Sequence, residues 1–175
     1  MFINPTIALN EGWITFPEWM SEAQRTKCIQ PNAIDFTLDS LSELELMGSA
    51  SITEDVRIMR RTVPVSLRGN QWLLKPGAVY DGASDFYVRV PEDVAAMLII
   101  RSSFNRVGVH LQSGLYDAGY EGHIGFTLHN RSGDVVTEPH TRVGQIIFVH
   151  SDAAGKYAGG YNHAPGTHWQ AKTVN

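Results

Sequence analysis

The sequence predicts an all-β domain, a sandwich or barrel of short strands with one or two short peripheral helices. Two observations carry that expectation. Sixteen glycines, eight prolines and 10% aromatic residues among 175 positions imply many turns between short strands. From residue 71 onward, apolar runs of strand length recur between turn signals at the spacing of such folds. With 43% hydrophobic residues, a chain of this length suits one compact domain better than two small ones.

In chain order, the first signal is helical: Pro17 follows Thr15 and Phe16 and opens a helix through EWMSEAQRTKC. Residues 33–39 alternate, with Ile34, Phe36 and Leu38 on one side and Ala33, Asp35 and Thr37 on the other. This strand would carry Asp35 opposite its apolar face. Residues 40–70 are ambiguous, since SLSELELMG fits a strand or a helical turn and VRIMRRTVPVSLRGN fits a hairpin arm; they are read as β. Strands are then expected at 71–74, 85–90, 97–100, 107–112, 123–129 and 145–150. Lys75-Pro76-Gly77 and Arg131-Ser132-Gly133-Asp134 supply turns, and Pro91-Glu92-Asp93-Val94 supplies one helical turn. The segment GKYAGGYNHAPGTHWQAKTVN is too rich in glycine to pack as a core element, so residues 151–175 read as a flexible lid or tail on a single domain, 1–175.

Fourteen Lys and Arg against 18 Asp and Glu leave a net charge of −4, which argues against a nucleic-acid surface. A polyanion would need a local basic pocket. Cys28 is the one cysteine, so neither an intrachain disulfide nor a zinc spacing exists, and a reducing, cytoplasmic setting is expected. The start MFINPTIALNEGWITF lacks a basic stretch before an apolar core, and no run approaches the roughly 18 apolar residues of a membrane span. Neither export nor a membrane partner is expected. Seven histidines raise the question of a metal, but no His-x-His pair occurs. His123 and His129 share a strand face yet stand too far apart for one ion, because alternate residues advance roughly 6–7 Å. Surface or core-edge histidines are the simpler account.

Arg101-Ser102-Ser103 follows the apolar run MLII, so a strand end delivers one guanidinium and two hydroxyls to one place, donors that suit phosphate. A capped turn with a surface arginine explains the same residues. The segment SGLYDAGYEGHIGFTLHN sets glycines around two tyrosines and an aspartate. Glycine lets backbone approach a ligand, and Asp117 held in a turn can orient a water for hydrolysis. An ordinary hairpin, with Asp117 as a turn former and Tyr120 as a half-buried aromatic, competes with that reading.

Taken in order, these segments resemble the dUTPase and dCTP deaminase superfamily over roughly residues 29–168. IQPNAIDFTLD is similar to its first motif, and LLKPGAVYDGASDFYVRVPEDVAAMLIIRSSFNRVGV resembles the deaminase branch. SGLYDAGYEGHIGFTLHN resembles the third motif, RVGQIIFV the fourth, and GKYAGGYNHAPGT the C-terminal segment that closes over the nucleotide. The resemblance implies a distorted jelly-roll β-barrel, a homotrimer with its sites at subunit interfaces, and a deoxyribonucleoside triphosphate bound with Mg²⁺. It also implies roles: Arg101, Ser102 and Ser103 would grip phosphate with Arg106 near the site, and Asp117 would orient the attacking water. Tyr120 would pack on deoxyribose, while Ser113, Gly114, Leu115 and Tyr116 would read the base largely through backbone groups. Asp35 and Gln145 would lie near the triphosphate and the waters of its metal, and Lys156 and Tyr157 match the lid. The tail lacks the GFGSTG-like sequence of typical dUTPases, which leaves Tyr161, His168 or Trp169 to cover the base.

Deaminases need a glutamate on the strand after the third motif to shuttle protons. Alignment on Asp117, Gly122 and Asn130 puts Thr127 there, and neither Glu121 nor Glu138 is in register. A slip of one residue would turn the side chain to the opposite face. The expected activity is therefore hydrolysis of dUTP, or a related deoxypyrimidine triphosphate, to the monophosphate and pyrophosphate. Asp117 would align water on the α-phosphorus while Mg²⁺ neutralises developing charge. The alternatives are a dCTP deaminase with another acid/base group and a catalytically silent nucleotide-binding or regulatory homologue.

Overall fold

The computed structural model describes residues 1–159 and Asn162. Three short helices, α1 (Pro5–Asn10), α2 (Glu22–Cys28) and α3 (Ser102–Arg106), sit among short and long strands. The strands are β1 (Ile14–Thr15), β2 (Ile34–Leu38), β3 (Ser40–Leu44), β4 (Ser51–Ile52), β5 (Arg57–Ile58), β6 (Thr62–Pro64) and β7 (Trp72–Leu74). They continue with β8 (Val79–Arg89), β9 (Val94–Ile100), β10 (Val109–Gln112), β11 (Glu121–Asn130), β12 (Val135–Thr137) and β13 (Thr141–His150). One sheet runs β10-β11-β8-β3-β6, with β1 also on β8; a second runs β2-β13-β9; β12-β7 and β4-β5 form small ribbons. Every strand pairing in these sheets is antiparallel.

The core lies where the inner faces of the two larger sheets meet. Ile34, Phe36 and Leu38 from β2 and Ile146 and Phe148 from β13 join Tyr80 and Phe86 from β8 and Ile124, Phe126 and Leu128 from β11, all essentially inaccessible. Alternation on β11 is strict: Gly122, Ile124, Phe126, Leu128 and Asn130 are buried and the residues between them are half-buried. Two aromatic rings tie the sheets together, Phe36 and Phe126, with centroids 5.3 Å apart. Each is backed by a glycine, because a Cβ on Gly144 would overlap the Phe36 ring and one on Gly82 would stand 2.7 Å from Phe126 Cε2.

Several elements differ from the sequence expectation. The helix expected from Pro17 begins at Glu22, because Ser21 and Gln24 form a reciprocal capping box that fixes its start. β2 does not alternate; all five residues are buried, since β13 covers one edge and the core and helix α2 enclose both faces. Residues 40–70 are β as read, with β3 and β6 extending the large sheet and β4-β5 forming a separate ribbon. β8 is far longer than residues 85–90, because its small residues Gly82, Ala83 and Ser84 are buried under the opposing sheet and give no apolar signal in sequence. Helix α1, capped by Asn4 with Pro5 at its first turn, and strand β12 were not expected. One non-glycine residue among those described has positive φ: His140, at 66°. Its Nδ1 lies 2.5 Å from Oδ1 of the buried Asp39, a contact that fixes the residue in this conformation. Among the described residues no helix is long and apolar enough to cross a membrane.

Candidate active site

Antiparallel pairing builds the first part of the site. β13 lies between β2 and β9, which sets Gln145 opposite Asp35 on one edge and Gly144 opposite Ile100 on the other. Arg101 follows directly as the N-cap residue of α3, so strand ends deliver it beside Asp35. The Asp35 side chain is 1% exposed and surrounded by donors. Its Oδ2 is 3.2 Å from Arg101 Nε and 3.0 Å from Arg142 Nη1, and its Oδ1 accepts from Gln145 Nε2 at 2.9 Å. Gln30 Nε2 makes a longer contact of 3.5 Å to Oδ2. The arginines are also tied to backbone: Arg101 Nη1 donates to Arg142 O at 3.2 Å, and Arg142 Nη1 to Lys27 O, at the end of α2, at 2.6 Å. Cys28 is wholly buried at that helix end, where burial first and the Asp35 charge second push its thiol up to about 11 against the pull of both arginines. Ser102, Ser103 and Arg106 are exposed beside this cluster.

The third-motif segment forms the second part. Tyr116 pairs with Ala96 of β9 through both backbone bonds, 2.9 and 2.8 Å. Its hydroxyl donates to Gly125 O at 2.8 Å and accepts from Gly125 N at 3.0 Å, which pins the loop against β11. Burial drives that hydroxyl strongly away from ionisation. Ser113, Gly114 and Leu115 are exposed ahead of it. A turn follows, closed by Tyr120 N to Asp117 O at 3.0 Å with Gly119 at φ 79°. It holds Asp117 at the surface. Tyr120 stands edge-on to Tyr116 at 4.9 Å and to Tyr157 at 5.8 Å, and its hydroxyl donates to His123 O at 2.8 Å. Burial, then the neighbouring tyrosines Tyr157 and Tyr87, push it up to about 12. The chain beyond residue 150 docks on this same turn. Tyr157 N donates to Ala118 O at 2.7 Å, Lys156 Nζ meets Glu92 Oε1 at 2.5 Å, and Asn162 Oδ1 accepts from Glu121 N at 2.9 Å. Tyr161, His168 and Trp169 lie outside the described residues.

The contacts therefore gather the expected residues into two groups, one around Asp35, Arg101 and Gln145 and one around Tyr116, Asp117, Tyr120 and Tyr157. Both are anchored on β9, at its end and at Ala96. Arg101 lies five residue steps along the chain from Ala96, about 17 Å at roughly 3.3 Å per residue. Sequence reasoning passed over Arg142 and Gln30, which complete the first group; a register shift between Arg142 and Gly144 on β13 accompanies the approach of Arg142 to Asp35, and the sequence carries no signal for it. It also passed over Asp81, which lies opposite Thr127 across the β8-β11 ladder. Thr127 itself falls on the half-buried outer face of β11, with its Oγ1 3.5 Å from Gln112 O. Glu138 lies outside β11 and accepts from Gln71 Nε2 at 3.1 Å.

Mg²⁺ needs oxygen ligands that can face it. Among the described residues no group of three or more His, Cys, Asp and Glu could hold a metal ion. The carboxylate of Asp35, expected beside the waters of the metal, is instead enclosed by two guanidinium groups and a carboxamide. The residues present do not fit a protein-held Mg²⁺.

Residues 18–151 match the model of a family described as dCTP deaminase-like. The chain belongs to the dCTP deaminase-like family. Its relatives divide by name. A probable deoxyuridine 5′-triphosphate nucleotidohydrolase of Methanopyrus kandleri is 31% identical over 133 residues, 75% of this chain and 86% of that protein. A dUMP-forming dCTP deaminase of Bifidobacterium animalis subsp. lactis is 29% identical over 167 residues, 93% of this chain and 83% of that protein. The crystal structure of the 2′-deoxycytidine 5′-triphosphate deaminase from Agrobacterium tumefaciens matches with a TM-score of 0.63 at 16% identity and covers 84% of this chain. This chain spans 47% of that longer one. The shared fold is the β-rich jelly roll of this family.

Proposed function

We propose that this protein hydrolyses a deoxyribonucleoside triphosphate, dUTP or a related deoxypyrimidine nucleotide, to the monophosphate and pyrophosphate. The observation that carries hydrolysis over deamination is Thr127. Its place on the outer face of a strictly alternating strand leaves no glutamate in register, and Glu121, on the same face, is six residues or about 20 Å away. Asp117, exposed on a fixed turn, would hold and polarise the attacking water, and Arg101, Ser102, Ser103 and Arg106 would bind the phosphates. Tyr120 would lie against deoxyribose, the segment Ser113 to Tyr116 would read the base, and Lys156 and Tyr157 would close over the nucleotide as part of a lid at 151–175 on one domain. Mg²⁺ would travel on the triphosphate itself.

A trimer belongs to this reading, because one chain keeps the turn of Asp117 and the grip of Arg101 about 17 Å apart along β9. Sites assembled between copies bring the two groups onto one nucleotide.

A second reading, deamination of dCTP, draws on Asp81, whose position opposite Thr127 supplies a carboxylate on the face that lacks the glutamate. One experiment separates them: the protein with Mg²⁺ is given dUTP and dCTP separately, and pyrophosphate, ammonia and nucleotides are followed. Hydrolysis predicts pyrophosphate from dUTP. Ammonia from dCTP with the triphosphate intact selects deamination. Under hydrolysis, Asp117→Asn loses turnover by about 10²-fold or more while nucleotide binding stays within a few-fold; unchanged turnover removes Asp117 from the mechanism.

A further inference from the structure

The carboxylate of Asp35 makes poor sense as a metal ligand and good sense as a hub. Its Oδ2 is shared by Arg101 Nε and Arg142 Nη1, and its Oδ1 is held by Gln145. The two arginines are interlocked. The side chain of Arg142 grips the carboxylate, and its backbone carbonyl accepts from Arg101 Nη1. Arg101 is thus held at two points, its Nε against the carboxylate and its Nη1 on the carbonyl of Arg142. Arg142 is fixed in turn by Lys27 O, which also accepts from Gln30 Nε2 at 2.9 Å. A guanidinium held at two of its three nitrogens presents its remaining donors in a set direction, which suits a phosphate oxygen.

We propose that Arg142 is a positioning residue for phosphate recognition, aligning Arg101 through the shared Asp35 carboxylate, and that Asp35 serves this clamp in place of the metal. The proposal rests on the functional reading above. Neither residue is assigned contact with substrate; both act through Arg101.

The test measures the affinity of the purified protein for a non-hydrolysable deoxyuridine triphosphate analogue by calorimetry, in EDTA and again with Mg²⁺. The variants are Arg101→Gln, Arg142→Gln, the double variant and Asp35→Asn, with Arg142→Lys as a milder change in case Arg142→Gln does not fold. Misalignment of one charge-assisted contact predicts a loss of about tenfold for Arg142→Gln, partial recovery in Arg142→Lys, and a double variant no weaker than Arg101→Gln alone. Asp35→Asn is expected to lose the same factor with and without Mg²⁺. A merely structural Arg142 would make the two losses multiply, and that result overturns the positioning role. So does wild-type affinity in Arg142→Lys and Arg142→Gln, or an Asp35→Asn loss seen only with Mg²⁺. A wild-type protein that binds no deoxynucleoside triphosphate overturns the functional reading instead, and this role with it.

Discussion

Gly144 lies between Arg142 and Gln145 on β13, directly opposite Phe36 of β2. A Cβ built there overlaps Phe36 Cζ, stands 2.7 Å from Phe36 Cε1 and 3.0 Å from Ile99 O. None of these atoms can retreat cheaply. Phe36 is wholly buried and faces the Phe126 ring at 5.3 Å, and Phe126 in turn presses on Gly82. Ile99 O belongs to the β9 ladder that flanks β13. Overpacking of this kind costs about 1–3 kcal/mol, and two rigid neighbours favour the upper half of that range. Alanine recovers roughly 0.5–1 kcal/mol by restricting the unfolded backbone, which leaves Gly144→Ala destabilised by about 2 kcal/mol. For a chain of this size that is a fall in Tm of about 4–8 °C. The assay is thermal and urea unfolding at one fixed protein concentration, since association would otherwise shift the midpoint. Adding Phe36→Leu should relieve the overlap, so the double variant is more stable than the sum of the single losses by about 1 kcal/mol. An unchanged or raised Tm in Gly144→Ala would refute the four-layer stack of glycine, two rings and glycine.

Cys28 gives a pH prediction with a definite sign. Its folded-state pKa is raised from 9.0 to about 11, so the unfolded chain releases the thiol proton first as pH rises. The stabilisation is complete below about 9 and is lost on the way to about 11; Cys28→Ala should flatten this part of the stability–pH curve, and an unchanged slope would show that the thiol does not titrate there. Assembly is checked separately by sedimentation: three times 19.4 kDa is expected, and a monomer that turns over substrate would remove the shared site.

Much of the fold was legible because burial on one face leaves a period in the sequence. β11 shows this best, since Ile124, Phe126 and Leu128 point inward while His123, Gly125 and Thr127 do not, and the strand was read within two residues of its ends. The signal vanishes where both faces are covered or where backbone replaces side chain. β2 has no exposed face to contrast with, so Asp35 was placed on a polar side that does not exist. β8 carries Gly82, Ala83 and Ser84 in its middle, with Phe126 filling the space against Gly82, and such small residues give no apolar signal in sequence. For the site, the local pieces were visible as motifs, Arg101 to Ser103 and Asp117 to Tyr120. Their partners were not. Arg142, Gln30 and Asp81 matter through register and through contacts between distant segments, which only the paired strands define.

The buried Asp35 raises a question of economy that the net charge of −4 sharpens. By charge counting alone, a chain that is acidic overall gains from removing a carboxylate from a phosphate site. Charge counting misleads here, because a lone arginine at the surface carries about 2 kcal/mol of rotamer entropy that binding must freeze. Two arginines placed together without an anion would also repel one another. With Asp35 between them the cluster keeps one net positive charge, from Arg101, Arg142 and Asp35, and its geometry is set before any ligand arrives. The dependence runs the other way as well. Asp35 is 1% exposed, and removing one partner of a buried pair typically costs about 3–5 kcal/mol because the remaining charge is stranded. Here the loss of either arginine is softened by the other and by Gln145 and Gln30, and Arg101 is itself about a third exposed, so solvent screens part of its share. Redundant donors let the fold tolerate an arginine turned toward a phosphate, which a simple buried pair would not.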